Sequence, residues 1–446
     1  MYNEFKLKKF LKSGENLEDI LKTANKLIKD YKGRNFSFGL GCLSDLAEFV
    51  LEFGNETLLI ISQKEWALPL KNEIRQILDK NNISIIAQTG TSRENTPKED
   101  VFALADLIRS LKPESIICVG GGSAIDCAKA ANVLATLGPD NFILEDMFGV
   151  GKVSEAVKKS GGLRLYPLIA VETAAGSGAH LTKYSNVTDL SLVQKKLIVD
   201  DLIIPDRAVF DYLTTLTMPA DLTKDGAMDG FSHCLEVYYG VNEDDYNFKL
   251  VEEICLTGIQ LIISNLPLLL KDLRNDKLRE KIGLATDLGA YAITMLGTNG
   301  AHLNSYSFVD VLAHGKACAI LNPYYTVFFS PLIENKLHKI ASIYKGYTKG
   351  DISKLKGKEL GIAIARAMTD FSSQIRFPAS LGEIKGFSNK HIERALTAAK
   401  NPQLKSKLEN MPVPLKSEQL DEFMKPVLEA AKTGDFNKIK VMSRDE

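Results

Sequence analysis

Six histidines occur in the 446-residue chain, and three of them stand in company suited to holding a cation. Asp229 and His233 lie four residues apart in the helical segment MDGFSHCLE, so a carboxylate and an imidazole share one helix face, one turn apart. On its own such a pair more often makes a surface hydrogen bond. His302 and His314 fall twelve residues apart in GAHLNSYSFVDVLAHGKACAILNP, a mostly apolar stretch. An imidazole buried there needs a polar partner, and a shared metal supplies one to both. One carboxylate with three imidazoles is a borderline donor set suited to Fe²⁺ or Zn²⁺. No cysteine is counted among these donors, so a structural zinc site is not expected. A metal held this way with an open position polarises an alcohol or carbonyl oxygen.

A second chemistry is written in SIICVGGGSAIDCAKA, residues 115–130. An apolar strand runs into Gly120-Gly121-Gly122-Ser123, and helix-forming residues follow at once. Bare backbone lets a phosphate approach, and the first helical N–H groups attract it. The run is neither Gly-x-Gly-x-x-Gly nor a Walker-type loop, and glycines also serve a plain tight turn. A second segment, VETAAGSGAHLTKYSNVTD at 171–189, is rich in small residues and hydroxyls, and its Thr173 and Thr182 can donate to ribose or phosphate. Both loops follow strands, at the carboxyl ends where open α/β sheets take their ligands.

These loops and ligands need elements to hold them. Before residue 212, β-branched runs at 57–62, 83–88, 115–120 and 165–172 alternate with amphipathic segments such as PLKNEIRQILDK and KEDVFALADLIRSLK. Continuous apolar strands separated by helices predict a mostly parallel sheet covered on both faces. Beyond Pro219 the strand signals fade and long helical patterns take over. The expected fold is thus an α/β N-terminal dinucleotide-binding domain at 1–211, with residues 1–35 as an extra helical segment, and an all-α metal and substrate domain at 212–446.

Composition narrows the partners. Lys plus Arg number 55 against 56 Asp plus Glu, a formal net charge of −1, so nothing in the balance draws the chain to nucleic acid or an anionic membrane. The stretch ICLTGIQLIISNLPLLL is interrupted by Gln, Ser, Asn and Pro and reads as a buried helix rather than a span. The first twenty residues mix charge with apolar side chains and do not read as a secretory signal. Six scattered cysteines without Cys-x-x-Cys spacing fit reduced thiols in a cytoplasmic protein.

Together these segments resemble the iron-containing (group III) alcohol dehydrogenase family over most of residues 36–330. Four motifs fall in the family's order: Gly-Gly-Gly-Ser-x-x-Asp-x-Ala-Lys at 120–129, Thr-x-Ala-Gly-Ser-Gly at 173–178, Asp-x-x-x-His at 229–233, and a His…His-Gly pair ending at His314-Gly315. The resemblance implies that Asp229, His233, His302 and His314 are the metal ligands. It places Gly121, Gly122 and Ser123 at a pyrophosphate, and Asn95, Thr173, Thr182 and Lys195 along the dinucleotide. It implies reversible hydride transfer between a small alcohol or aldehyde and NAD(P), one divalent metal (Fe²⁺ or Zn²⁺), and a homodimer or higher homo-oligomer.

Three departures from the family pattern modify that expectation. Gln63 stands where NAD-preferring members carry an Asp, with Lys64 beside it, which removes the repulsion of a 2′-phosphate and favours NADP(H) over NAD(H). Tyr306 replaces a second histidine four residues after His302. Tyrosine can pass a proton, but with an ordinary pKa near ~10 it is a poorer relay at neutral pH. The interval to His314 is also shorter than usual, without the common His-Pro-Leu-Gly run, so the substrate wall is altered. His180 and Glu172 stand where other residues are usual, with no role evident from sequence. Tyr306 keeps a hydroxyacid–oxoacid transhydrogenase activity open. A lyase resembling dehydroquinate synthase would need more basic residues than Lys316 near the metal, and a non-catalytic scaffold would have no need of four ligands.

Overall fold

The computed structural model describes residues 17–138 and 142–442. They divide into two compact units, one formed by Lys29–Met218 with Arg274–Gly283, the other by Pro219–Leu273 and Leu284 onward together with the N-terminal segment up to Ile28. Residues 1–16 of the predicted N-terminal helical segment lie outside the described residues. The helix Leu17–Lys32 is present. Its residues up to Ile28 group with the helical unit rather than the α/β one, and the short return at 274–283 had no signal in the sequence.

The α/β unit contains β1 (Phe36–Gly39), β2 (Glu56–Ile61), β3 (Ser84–Thr89), β4 (Ser115–Gly120), β5 (Gly149–Val150), β6 (Leu168–Glu172), β7 (Tyr184–Asp189), β8 (Gln194–Val199) and β9 (Arg207–Asp211). Six of them form one sheet in the order β1-β9-β6-β4-β2-β3, and every pairing in it is parallel. Successive side chains of a strand point to opposite faces. Leu58, Ile60, Ile116, Cys118, Leu168 and Ala170 enter one core, and Leu59, Ile61, Ile117, Val119, Ile169 and Val171 enter the other. Burial on both faces is why these strands read as unbroken apolar runs.

A smaller sheet, β5-β8-β7, pairs β7 and β8 antiparallel. Part of the segment that reads as a loop in sequence is therefore the strand β7. Its polar residues hide the strand pattern, and two of them are held by Asp126: Ser185 Oγ donates to the Asp126 carbonyl at 2.7 Å, and the Asn186 backbone N–H to the Asp126 carboxylate at 2.9 Å.

In the other unit, the regular elements among its described residues after Pro219 are all helices. The helix Ala220–Gly240 packs along Phe248–Leu269 and along His314–Phe329. Phe248–Leu269 has the length and apolar composition of a membrane span, yet its Val251, Ile254, Cys255, Ile259, Ile262 and Leu266 are buried in this unit, as in a core helix. Glycines allow the closest approaches. A Cβ on Gly315 would meet the Asp225 carbonyl oxygen at 2.1 Å, and one on Gly289 the Gly230 carbonyl oxygen at 2.9 Å.

Candidate metal centre and nucleotide loop

Asp229 and His233 project from the helix Ala220–Gly240, His302 from the short helix Gly300–Ser305, and His314 opens His314–Phe329. Three imidazoles converge on one carboxylate oxygen. The Nε2 atoms of His233, His302 and His314 lie 3.8, 3.5 and 3.8 Å from Asp229 Oδ1. These separations are long for hydrogen bonds. Two donors each ~2.1 Å from a shared tetrahedral cation lie about 3.4 Å apart, so the spacing suits ligands around an ion. Asp229 Oδ1 and His302 Nε2 are buried and make no hydrogen bond, a state a cation would relieve. The residues present fit the divalent metal that the sequence implies.

The protonation states agree with that fit. Burial pushes the Asp229 carboxyl up, but His233, His314 and His302 outweigh it and hold the acid far below its usual range. Burial lowers the His233 pKa to about 4, leaving the neutral ring a metal requires. Burial also works against a charged His302. The Cys318 sulfur, Glu236 and Asp229 more than offset it and raise that pKa, and surroundings that retain a proton there also favour a cation in its place.

Outer partners fix the ring orientations. Glu236 Oε1 lies 2.6 Å from His302 Nδ1, and its other oxygen accepts from the Asn299 backbone N–H at 2.8 Å. A deprotonated Glu236 can only accept, so His302 carries its proton on Nδ1 and presents Nε2 to the metal position. Ser305 Oγ donates to the His302 carbonyl at 2.7 Å, which leaves it to accept from His314 Nδ1 at 3.1 Å. His314 is thereby oriented in the same sense. Sequence reasoning missed both partners. A signal existed for Glu236, since Asp229, His233 and Glu236 fall at i, i+4 and i+7 on one stripe. Cys318 was missed as well. One ligand atom each from Asp229, His302, His314 and Cys318 all lie within 4.8 Å of one another. Tyr306 is buried, and its ring stacks on His314 at 5.7 Å between centroids.

In the α/β unit the glycine run leaves β4 and enters the helix Gly122–Leu137, with Gly121 at its N-cap. A Cβ on Gly121 would meet Ala174 at 3.0 Å, and one on Gly122 would meet Ser177 Oγ at 2.5 Å. The two small-residue loops therefore pack on each other. Ser123 Oγ accepts from the Asn95 backbone N–H at 3.0 Å, with Asn95 and Thr96 both in the left-handed region. Thr173 donates its backbone N–H to the Gly120 carbonyl. Glu172 acquires a structural role: its Oε1 accepts from the backbone N–H groups of Thr173 and Ala174, and its Oε2 lies 3.1 Å from His180 Nδ1. Thr182 is buried, its carbonyl held by Lys129 Nζ at 2.7 Å, and Lys195 is buried on β8. Gln63 stands at the ends of β2 and β3, where its Nε2 donates to the Ile61 carbonyl and its Oε1 accepts from Lys71 Nζ and Gln88 Nε2. Arg75 reaches the same Gln88 at 2.7 Å.

A parallel sheet with a glycine loop at a helix N-terminus in one unit, and a carboxylate ringed by imidazoles in the other, are the features expected of a nucleotide-dependent metalloenzyme. Comparison with known proteins narrows the class. The profile of iron-containing alcohol dehydrogenase matches residues 34–212, and that of the Fe-containing alcohol dehydrogenase family C-terminal region matches 223–427. The chain belongs to the iron-containing alcohol dehydrogenase family. It is 26% identical to alcohol dehydrogenase 4 of Saccharomyces cerevisiae over 290 residues, 64% of this chain and 72% of that one. It is 27% identical to an NADPH-dependent butanol dehydrogenase of Clostridium saccharobutylicum over 64% of this chain and 69% of the relative. The solved alcohol dehydrogenase of Oenococcus oeni has the same fold, with a TM-score of 0.74, 22% identity, and coverage of 89% of this chain and 97% of that one. The protein is an oxidoreductase acting on alcohols, dependent on a nicotinamide cofactor and a metal.

Proposed function

We propose that the chain interconverts a small alcohol and its aldehyde or ketone with NADP(H) in preference to NAD(H), and that Asp229, His233, His302 and His314 hold one divalent cation for the reaction. One observation carries this reading: three imidazole Nε2 atoms, each within 3.8 Å of one buried carboxylate oxygen. When bound, the cation supplies Lewis-acid polarisation of the substrate oxygen, and the nicotinamide accepts or returns hydride.

The chain's own residues supply position and charge. Glu236 and Ser305 hold His302 and His314 with Nε2 presented. Gly121, Gly122 and Ser123 offer bare backbone and the positive end of a helix to a pyrophosphate. Tyr306, face to face with His314, is assigned proton passage, since its hydroxyl both donates and accepts. The cofactor preference is supported by Gln63 in place of a carboxylate, with Lys71 and Arg75 on the same amide network. A 2′-phosphate meets attraction there and no repulsion. The similarity to an NADPH-dependent butanol dehydrogenase supports the same reading.

The test is a side-by-side assay of NADPH and NADH oxidation with short aldehydes after anaerobic loading with Fe²⁺ or Zn²⁺. Turnover should favour NADPH, and Gln63→Asp should move the preference to NADH. His314→Ala should lose metal retention and turnover together. Undiminished turnover in His314→Ala would sink the metal assignment, and an NADH preference in the unaltered enzyme would sink the cofactor assignment.

A further inference from the structure

Cys318 lies four residues after His314, one turn along the same helix and on the same face. It is fully buried, as are Cys118 and Cys255, and a buried free cysteine ordinarily behaves as a small apolar side chain. Its surroundings are different in kind. Among the described residues, Cys318 is the cysteine that falls within 4.8 Å of the donor atoms of Asp229, His302 and His314. Two donors in that group, Asp229 Oδ1 and His302 Nε2, are buried without a hydrogen-bond partner. The sulfur thus stands where an ion satisfying those atoms would be in reach of it.

We propose that Cys318 Sγ is a further ligand of the metal, binding as a thiolate beside Asp229, His302 and His314, with His233 completing the coordination, and that it biases the centre towards Zn²⁺ over Fe²⁺. This rests on the metal centre proposed above. Binding forms a metal–sulfur bond, and the thiol proton leaves to solvent. No oxidant or reductant is needed, because a coordinated thiol is deprotonated outright. The five donors then comprise one carboxylate, three imidazoles and one thiolate. Soft sulfur selects Zn²⁺ among the divalent metals available to a mixed site, whereas a set of nitrogen and oxygen alone leaves iron competitive. Reported metal–sulfur and metal–nitrogen distances of ~2.3 and ~2.0–2.1 Å require the group to draw in on binding.

The test uses Co²⁺ as the probe in the metal-stripped full-length protein, because protein-bound cobalt reports its ligands through its spectrum. Visible d–d bands together with a near-ultraviolet sulfur-to-cobalt charge-transfer band are expected in the unaltered chain. Cys318→Ser should keep the d–d bands and lose the charge-transfer band, and Cys318→Ala should do the same. In competition titrations Cys318→Ser should lose Zn²⁺ affinity by at least the ~10–100-fold that follows removal of an outer-shell partner, with Fe²⁺ affinity falling less. Visible bands without a charge-transfer band in the unaltered protein would overturn the sulfur ligand while leaving the centre standing. So would a charge-transfer band that survives both substitutions. No cobalt spectrum at all would overturn the centre itself and this proposal with it.

Discussion

The four proposed metal donors differ in how firmly their orientation is fixed, and His302 is the most constrained. Its Nδ1 meets Glu236 at 2.6 Å, and the same carboxylate accepts the backbone N–H of Asn299 at the start of its helix. Burial pushes the Glu236 acid up, but His302, the Asn299 N–H and Lys407 hold it ionised with its pKa lowered. An ionised acceptor fixes the ring's tautomer and makes Nε2 more basic. Glu236→Gln keeps size and one acceptor oxygen but removes the charge, so metal affinity should fall ~10–100-fold with the fold retained. Competition against a chromophoric chelator measures this, and unchanged affinity would show that Glu236 does not act on the metal through His302. At this scale the sequence was legible where side-chain type clashed with context, as with His302 and His314 in an apolar stretch. Glu236, Ser305 and Cys318 carry no such clash. Their significance lies in what stands opposite them in space.

The elements that bring the donors together depend on close helix contacts. Gly315 is a close approach between His314–Phe329 and Ala220–Gly240, since an added Cβ would lie 2.1 Å from the Asp225 carbonyl oxygen and 3.0 Å from Asp229 Cβ. Backbone cannot yield there as a side-chain tip would. Gly315→Ala must therefore move the start of one helix away from the other, and overpacking of this kind costs ~1–3 kcal/mol. Because His314 is the adjacent residue, the expected result is loss of metal retention with far-ultraviolet helix content preserved. A variant that binds metal as tightly as the parent would show that this contact does not set the donor spacing. The strands legible in sequence were the apolar runs: β2, β4 and β6 are buried, and β3, at the edge of the sheet, is half-buried. β1 and β9 are only 4 and 5 residues long. β7 conceals its strand character behind Ser185 and Asn186, which both hydrogen-bond to Asp126.

Across the molecule the same device recurs in both units: a buried lysine gathers backbone carbonyls at the end of a segment that carries site residues. Lys129 donates to the carbonyls of Ala179, Thr182 and Tyr184 at 2.6, 2.7 and 2.9 Å, closing the loop that bears Thr182. Lys336 donates to Tyr239 and Val241, where the helix bearing Asp229 and His233 ends. Burial lowers the pKa of each to about 8 from the ordinary 10.5. From pH 8 to 10.5 the unfolded chain therefore keeps a proton on each lysine that the folded chain has released, and these groups alone make folding more favourable as pH rises. Two thiols, one half-buried and one buried, act in the opposite direction. Cys42 and Cys127 are pushed up from 9.0 to about 12 by burial, so between those values the unfolded chain loses its protons first and stability falls, overlapping the upper part of the lysine range. The net slope mixes the two, and the lysine share must be read by difference. For Lys129→Met the stability gap to the parent should widen between pH 8 and 10, approaching an upper limit of ~3 kcal/mol. Lys336→Met should widen its gap in the same direction. Denaturant midpoints at matched m-values measure both, and a gap that stays flat or narrows would mean that these ammonium groups are not held below their ordinary pKa in the folded chain.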